Sequence, residues 1–211
     1  MKLHFNTKLR RTMLGVVGAM FATVATVALA NPEVSEPAPA FSVIDTQGQV
    51  HSLEQYNGSM VVLEWTNHDC PFVVKHYATD NMQNLQREMA EQDVVWLTVI
   101  SSAPGTQGHV SPEQADELTS SRNAAPAAVL LDEGGTMGRA YAARVTPHMY
   151  VIDGAGVLQY AGGIDSIPTA NHADVERADP YFANAARAVL AGEIPERQVT
   201  RPYGCTVKYA D

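Results

Sequence analysis

The chain is poor in cysteine. It has two in 211 residues, Cys70 and Cys205. Two thiols cannot make a disulfide scaffold, so a packed core has to hold the fold. Nor do they form C-x-x-C, because Pro71, Phe72 and Val73 follow Cys70. A disulfide between near neighbours is excluded, and any internal bond must join positions 135 apart (205 − 70).

Basic residues are also scarce, with 14 Lys and Arg against 23 Asp and Glu and a net charge of −9. Four of them, Lys2, Lys8, Arg10 and Arg11, lie ahead of the uncharged apolar run Met13–Ala28. Ala28-Leu29-Ala30 is an A-x-A site, so residues 1–30 read as a secretory signal peptide cleaved after Ala30. The run is shorter than the ~20 residues a spanning helix needs, which argues against a retained anchor. Arg10-Arg11 resembles a twin-arginine signal only weakly, since Thr12-Met13-Leu14 fits poorly behind it. Cleavage leaves 181 residues (211 − 30), a single domain, and takes the charge from −9 to −13. So acidic a surface argues against nucleic acid and anionic membrane as partners. No later apolar run reaches spanning length, and there is no internal repeat. Export would permit the two cysteines to be oxidised.

What is present is organised around Val61–Tyr77, VVLEWTNHDCPFVVKHY. Met60–Trp65 is a continuous apolar run broken only by Glu64, the pattern of a buried strand. A polar loop then delivers Cys70 to a helix opened by Pro71. Partial positive charge at a helix N-terminus favours a thiolate. Asp69 opposes this; His68, Lys75 and His76 assist if they point inward. Glu64 is open to two readings, a buried acid serving proton transfer or a strand-edge residue facing water.

Along the chain, Asn31–Ala40 is expected to be a linker, and Phe41–Leu53 a small hairpin. Pro71–Ala90 carries a helical apolar face with a kink or restart at Asp80. Val94–Ser101 is a second buried strand, parallel to the first. Ser111-Pro112-Glu113-Gln114 is a capping box for a helix to about Ser121. A short strand Ala127–Leu131 follows, then a short helix capped by Thr136. Met149–Asp153 and Val157–Ala161 form a hairpin after Thr146-Pro147-His148. Asp179-Pro180 opens a last helix that Gly192 ends. The domain is expected over 41–194, with a tail, 195–211, carrying Cys205. This is an α/β architecture: a central, mixed, mostly parallel sheet flanked by helices, with its chemistry beyond the carboxyl ends of the strands.

VVLEWTNHDCPF, LLDEGGTMGRAYAARVTPHMYVIDGAGVLQYAGGID and the closing PYGCTVKY together resemble the thioredoxin-like fold in its redoxin branch, the alkyl hydroperoxide reductase/thiol-specific antioxidant and peroxiredoxin-like proteins. The resemblance covers about residues 35–211. It implies the N-terminal hairpin, a βα insertion between Ala127 and Ala143, a cis Pro147 beside the active cysteine, and a Thr146 backbone offered to a bound thiol or peptide. Peroxiredoxins carry P-x-x-x-T/S-x-x-C. Leu63 and Asn67 stand at those positions here, so the proline is missing and Asn67 is the remaining hydrogen-bonding candidate. Arg122 is the candidate for a peroxide-polarising arginine.

Cys70, Cys205, Asn67, Pro147 and Thr146 are therefore the candidate catalytic set. Cys70 would attack a thiol/disulfide protein partner or a small peroxide, and Cys205 would resolve the intermediate. A turn ahead of Cys205, Pro202-Tyr203-Gly204, would leave it mobile. No cofactor is implied. Two alternatives stand beside this reading. A permanent Cys70–Cys205 bond would staple the tail, worth on the order of 5 kcal/mol for so long a loop. A copper or zinc site would draw on His68, Cys70, His76 and His148.

Overall fold

The computed structural model describes residues 1–2 and 31–210. The expected signal segment beyond Lys2 lies outside the described residues. A five-stranded sheet forms the centre, in the order β5-β4-β3-β7-β8. The strands are β3 (Val61–Trp65), β4 (Val95–Ile100), β5 (Ala128–Leu131), β7 (His148–Ile152) and β8 (Leu158–Gly162). β3 pairs with β4, and β4 with β5, in parallel; β3–β7 and β7–β8 are antiparallel. Every residue of β3 is buried, Glu64 included, as a strand covered on both faces requires.

The period-two alternation of the strands separates two cores. Val62, Trp96, Met149 and Tyr160 face Val73, Met82, Leu85, Met89 and Phe182. These come from α1 (Pro71–Ala78), α2 (Asn81–Ala90) and α5 (Tyr181–Leu190). Leu63, Trp65, Leu97, Leu130 and Tyr150 face the other way, against Phe41, Met137, Tyr141 and Val207. A third cluster, Ile100, Val110, Ala115, Val129 and Leu131, seats α3 (Pro112–Ser121) on β5. The Ser111 capping box forms as expected, with Gln114 N–H donating to Ser111 Oγ. The helical pattern from Pro71 to Ala90 is two helices, because Asp80 adopts a left-handed conformation between them.

Short helix α4 (Thr136–Ala140) is not capped by Thr136. Left-handed Gly135 holds the cap position, and Asp132 accepts from the N–H groups of Met137 and Gly138 instead. The hairpin β1 (Ser42–Ile44) and β2 (Val50–Ser52) is antiparallel, as expected. Asn31–Ala40, expected as a linker, is bonded to the sheet edge: Ser35 N–H donates to the Leu158 carbonyl, and Leu158 N–H donates to the Glu36 carbonyl.

The tail is likewise held against the domain. Val199 runs beside Ala161, and Ala161 N–H donates to the Gln198 carbonyl. Farther on, β9 (Cys205–Thr206) pairs antiparallel with β6 (Val145–Thr146). Val207 enters the second core, and Tyr209 donates to the Ala143 carbonyl. The mobility expected of Cys205 from its preceding turn gives way to this pairing.

Candidate active site

Cys70 is the cap residue at the N-terminus of α1, with Pro71 at the first helical position. Its loop is built by Asn67. The Asn67 carbonyl accepts from Cys70 N–H, and its side-chain oxygen accepts from Asp69 N–H. The other end of the amide reaches the Gln107 carbonyl at 3.4 Å. Gly108, at φ +90°, lies so close that a Cβ there would meet the Asn67 amide at 2.5 Å. Asn67 thus orders the loop and makes no hydrogen bond with the Cys70 sulfur.

Two backbone groups meet that sulfur. Cys70 Sγ donates to the Thr146 carbonyl at 3.2 Å, and Cys205 N–H donates to Cys70 Sγ at 3.3 Å. The Thr146–Pro147 peptide bond is cis. The register explains the convergence, because Thr146 stands opposite Cys205 in the β6–β9 pair. Four of the five candidate residues, Cys70, Cys205, Thr146 and Pro147, meet at one point although 76 and 135 positions separate Thr146 and Cys205 from Cys70. Both cysteines are free thiols. Cys70 is fully buried and Cys205 partly so. Burial pushes the Cys205 thiol up to about 12, and the neighbouring Cys70 sulfur adds to it. Cys205 is therefore held in its protonated form.

The other candidates are engaged elsewhere. Arg122 donates to the His68 carbonyl at 3.1 Å and stacks over the Tyr77 ring, so it braces the loop. His68 sits 3.3 Å from Asp69. His148 packs on Tyr150 and bonds its hydroxyl at 3.0 Å; burial lowers its pKa to about 3. Among the described residues no group of three or more His, Cys, Asp and Glu is placed to share a metal ion. The histidines proposed as ligands are spread over separate hydrogen bonds.

Glu64 is not at a strand edge facing water. It is fully buried and accepts from Tyr77, Gln86, Trp96 and Thr98 at 2.8–3.2 Å. Burial raises its pKa against those four donors. No hydrogen bond joins it to Cys70.

Sequence reasoning missed a second buried cluster. Asp165 is buried and accepts from Lys75 Nζ at 3.0 Å. Lys75 is itself fully buried on α1 and also donates to the Ile167 carbonyl and the Tyr203 hydroxyl, at 3.1 and 3.2 Å. Tyr203 donates to the other Asp165 oxygen. His76 Nε2 lies 3.4 Å from that hydroxyl, while its Nδ1 accepts from Asn81. Desolvation lowers the His76 pKa to about 4, so it is neutral. The only available signal was Lys75 and His76 standing one turn into the helix after Cys70. Beside this cluster a cleft of about 640 Å³ is lined by Val145, Arg201, Tyr203 and Gly204.

The fold is that of the thioredoxin-like redoxins, and comparison with known proteins agrees. The model of the AhpC/TSA family matches residues 34–161. The chain belongs to the AhpC/TSA family. That match contains Cys70 and Pro147 but stops short of Cys205. Among solved structures, a hypothetical protein from Sinorhizobium meliloti 1021 superposes with a TM-score of 0.70 at 19% identity, covering 86% of this chain and 97% of its own. An uncharacterized conserved protein from Geobacillus kaustophilus gives 0.67 at 25% identity, covering 84% and 93%. No curated protein sequence matches the chain.

Proposed function

We propose that the protein is an exported thiol–disulfide oxidoreductase in which Cys70 and Cys205 form one redox couple. The observation that carries this is the backbone of Cys205 bonding the Cys70 sulfur at a helix N-terminus. The Cys70 thiolate attacks one sulfur of a partner disulfide. A mixed disulfide forms and one partner thiolate leaves. Cys205 loses its proton and attacks the Cys70 sulfur, releasing the second partner thiolate and closing the Cys70–Cys205 bond. The partner gains two electrons, and an external dithiol restores the couple. Cys205 retains its proton until this step, which keeps the two sulfurs from competing as nucleophiles.

Peroxide reduction has less support, since Asn67 and Arg122 are committed to the loop. Export rests on residues 1–30. The partner is a protein thiol or disulfide, and the acidic charge argues against nucleic acid. The reading is tested by reduction of a small peptide disulfide with a dithiol donor. Wild type should accelerate it, Cys70→Ser should abolish the acceleration, and Cys205→Ser should accumulate the mixed disulfide on Cys70. Wild type no faster than the donor alone would overturn the reading. Hydrogen peroxide consumption that depends on Cys70 would instead favour the peroxidase.

A further inference from the structure

We propose that the buried Lys75–Asp165–Tyr203 cluster is a positioning device for the resolving cysteine, a clamp that holds the tail so that Cys205 lies on Cys70. The proposal rests on the reading of the two cysteines as one couple. Lys75 and Asp165 belong to the domain proper. Their pairing brings no clear gain in stability, because desolvating both charges offsets their attraction. What they share is a hydrogen-bonded phenol from the tail. Lys75 donates to the Tyr203 hydroxyl, and that hydroxyl donates to Asp165. The Tyr203 ring packs edge-on against Phe72 of α1, with centroids 5.7 Å apart.

Cys205 follows two residues later, and the path between is tightly fixed. Gly204 adopts φ +141°, and a Cβ there would lie 1.8 Å from the Thr146 carbonyl oxygen. That same oxygen accepts from Cys70 Sγ. Cys70 caps α1, and Phe72 and Lys75 lie in its first turns. Nucleophile and anchor are therefore referenced to one rigid helix, and the tail is fixed relative to both. The clamp has a second consequence. Cys70 has no exposed surface with β9 in place, so a partner reaches it only when the tail lifts. The cluster thereby sets the balance between an open tail, which admits a partner, and a closed one, which resolves the bond.

Tyr203→Phe removes one oxygen and keeps the ring against Phe72. Wild type and variant are equilibrated in reduced and oxidised glutathione, and the Cys70–Cys205 bond is quantified by mass after alkylation. The equilibrium constant against glutathione should fall about tenfold, a shift of about 30 mV toward easier reduction. In the reduced protein, alkylation of Cys70 by iodoacetamide should accelerate by a similar factor. Asp165→Asn, nearly the same shape, provides a second route, and circular dichroism confirms that each variant is folded. An unchanged equilibrium constant and unchanged alkylation in both folded variants would overturn the clamp. Wild type that never forms the Cys70–Cys205 bond would sink the redox couple, and alkylation alone then decides whether the clamp exists. A purely structural role would lower the melting temperature and leave both readouts where they are.

Discussion

Two buried polar clusters share helix α1, and they differ in where their members come from. Glu64 draws its four donors from α1, α2 and the neighbouring strand β4, all within residues 64–98. Lys75 draws its partners from positions 90 to 128 residues away, beyond the end of the sheet and in the tail. The first cluster locks the sheet to the helices covering it. The second holds the C-terminal tail beside Cys70. The Glu64 cluster is closed and complete, with no link to Cys70. The Lys75 cluster ends two residues from Cys205. The difference separates a residue buried for the fold from residues buried for the placement of a thiol.

The tail's placement depends most heavily on Gly204. Gly204→Ala places a Cβ on the Thr146 carbonyl at a backbone angle that L residues rarely adopt. β9 cannot then stay paired with β6. The Cys70–Cys205 equilibrium against glutathione should fall on the order of a hundredfold, about 3 kcal/mol, with the five-stranded sheet intact. Retention of the wild-type equilibrium would mean that the tail reaches Cys70 by some other path.

pH sharpens the contrast, because the two clusters titrate with opposite sign. His76 has its folded pKa lowered to about 4 by burial. Its contribution is present above the unfolded value near 6.5 and is lost as pH falls through about 4. Buried His148, lowered to about 3, acts in the same direction. Glu64 has its folded pKa raised by burial, so its contribution is present below about 4.5 and is lost as pH rises through the folded value. Urea unfolding of the reduced protein at pH 7 and pH 4.5 should show a loss of about 2–3 kcal/mol traceable to His76. His76→Gln should remove that share. An acid slope unchanged in His76→Gln would contradict the placement of a neutral histidine in the clamp.

The smallest expected effect is also the most discriminating. Glu64→Gln turns an amide NH2 toward donors and should cost about 2 kcal/mol, lowering the melting temperature by roughly 4–8 °C. The Cys70–Cys205 equilibrium should not move. A moved equilibrium would bring Glu64 into the proton chemistry of the thiols.

What was legible in the sequence was local. The apolar run into Cys70, Pro71 at the helix start, the Ser111 capping box and the Asp153–Gly156 hairpin turn each report on neighbours within a few residues. The alternation of strands and helices along the chain pointed to a mixed sheet covered by helices, while the order of its strands came only from the structure. The clamp was not legible, because Lys75, Asp165 and Tyr203 obey no common period and each has an ordinary alternative as a surface lysine, a turn aspartate or a tail aromatic. Glu64 was half legible. A charge in an apolar run marks a buried acid or a strand edge equally well, and only Tyr77, Gln86, Trp96 and Thr98 decide between them. Thr136 failed as a cap because Asp132, four residues earlier, folds back over the helix start.

The proposed chemistry requires Cys70 and Cys205 to be one reversible couple. Peptide mapping of the folded wild-type protein across a series of glutathione buffers tests it most directly. The account predicts a single Cys70–Cys205 disulfide that appears and disappears reversibly without unfolding. No such bond in any buffer, or one that yields to reductant only after the chain is unfolded, would contradict it.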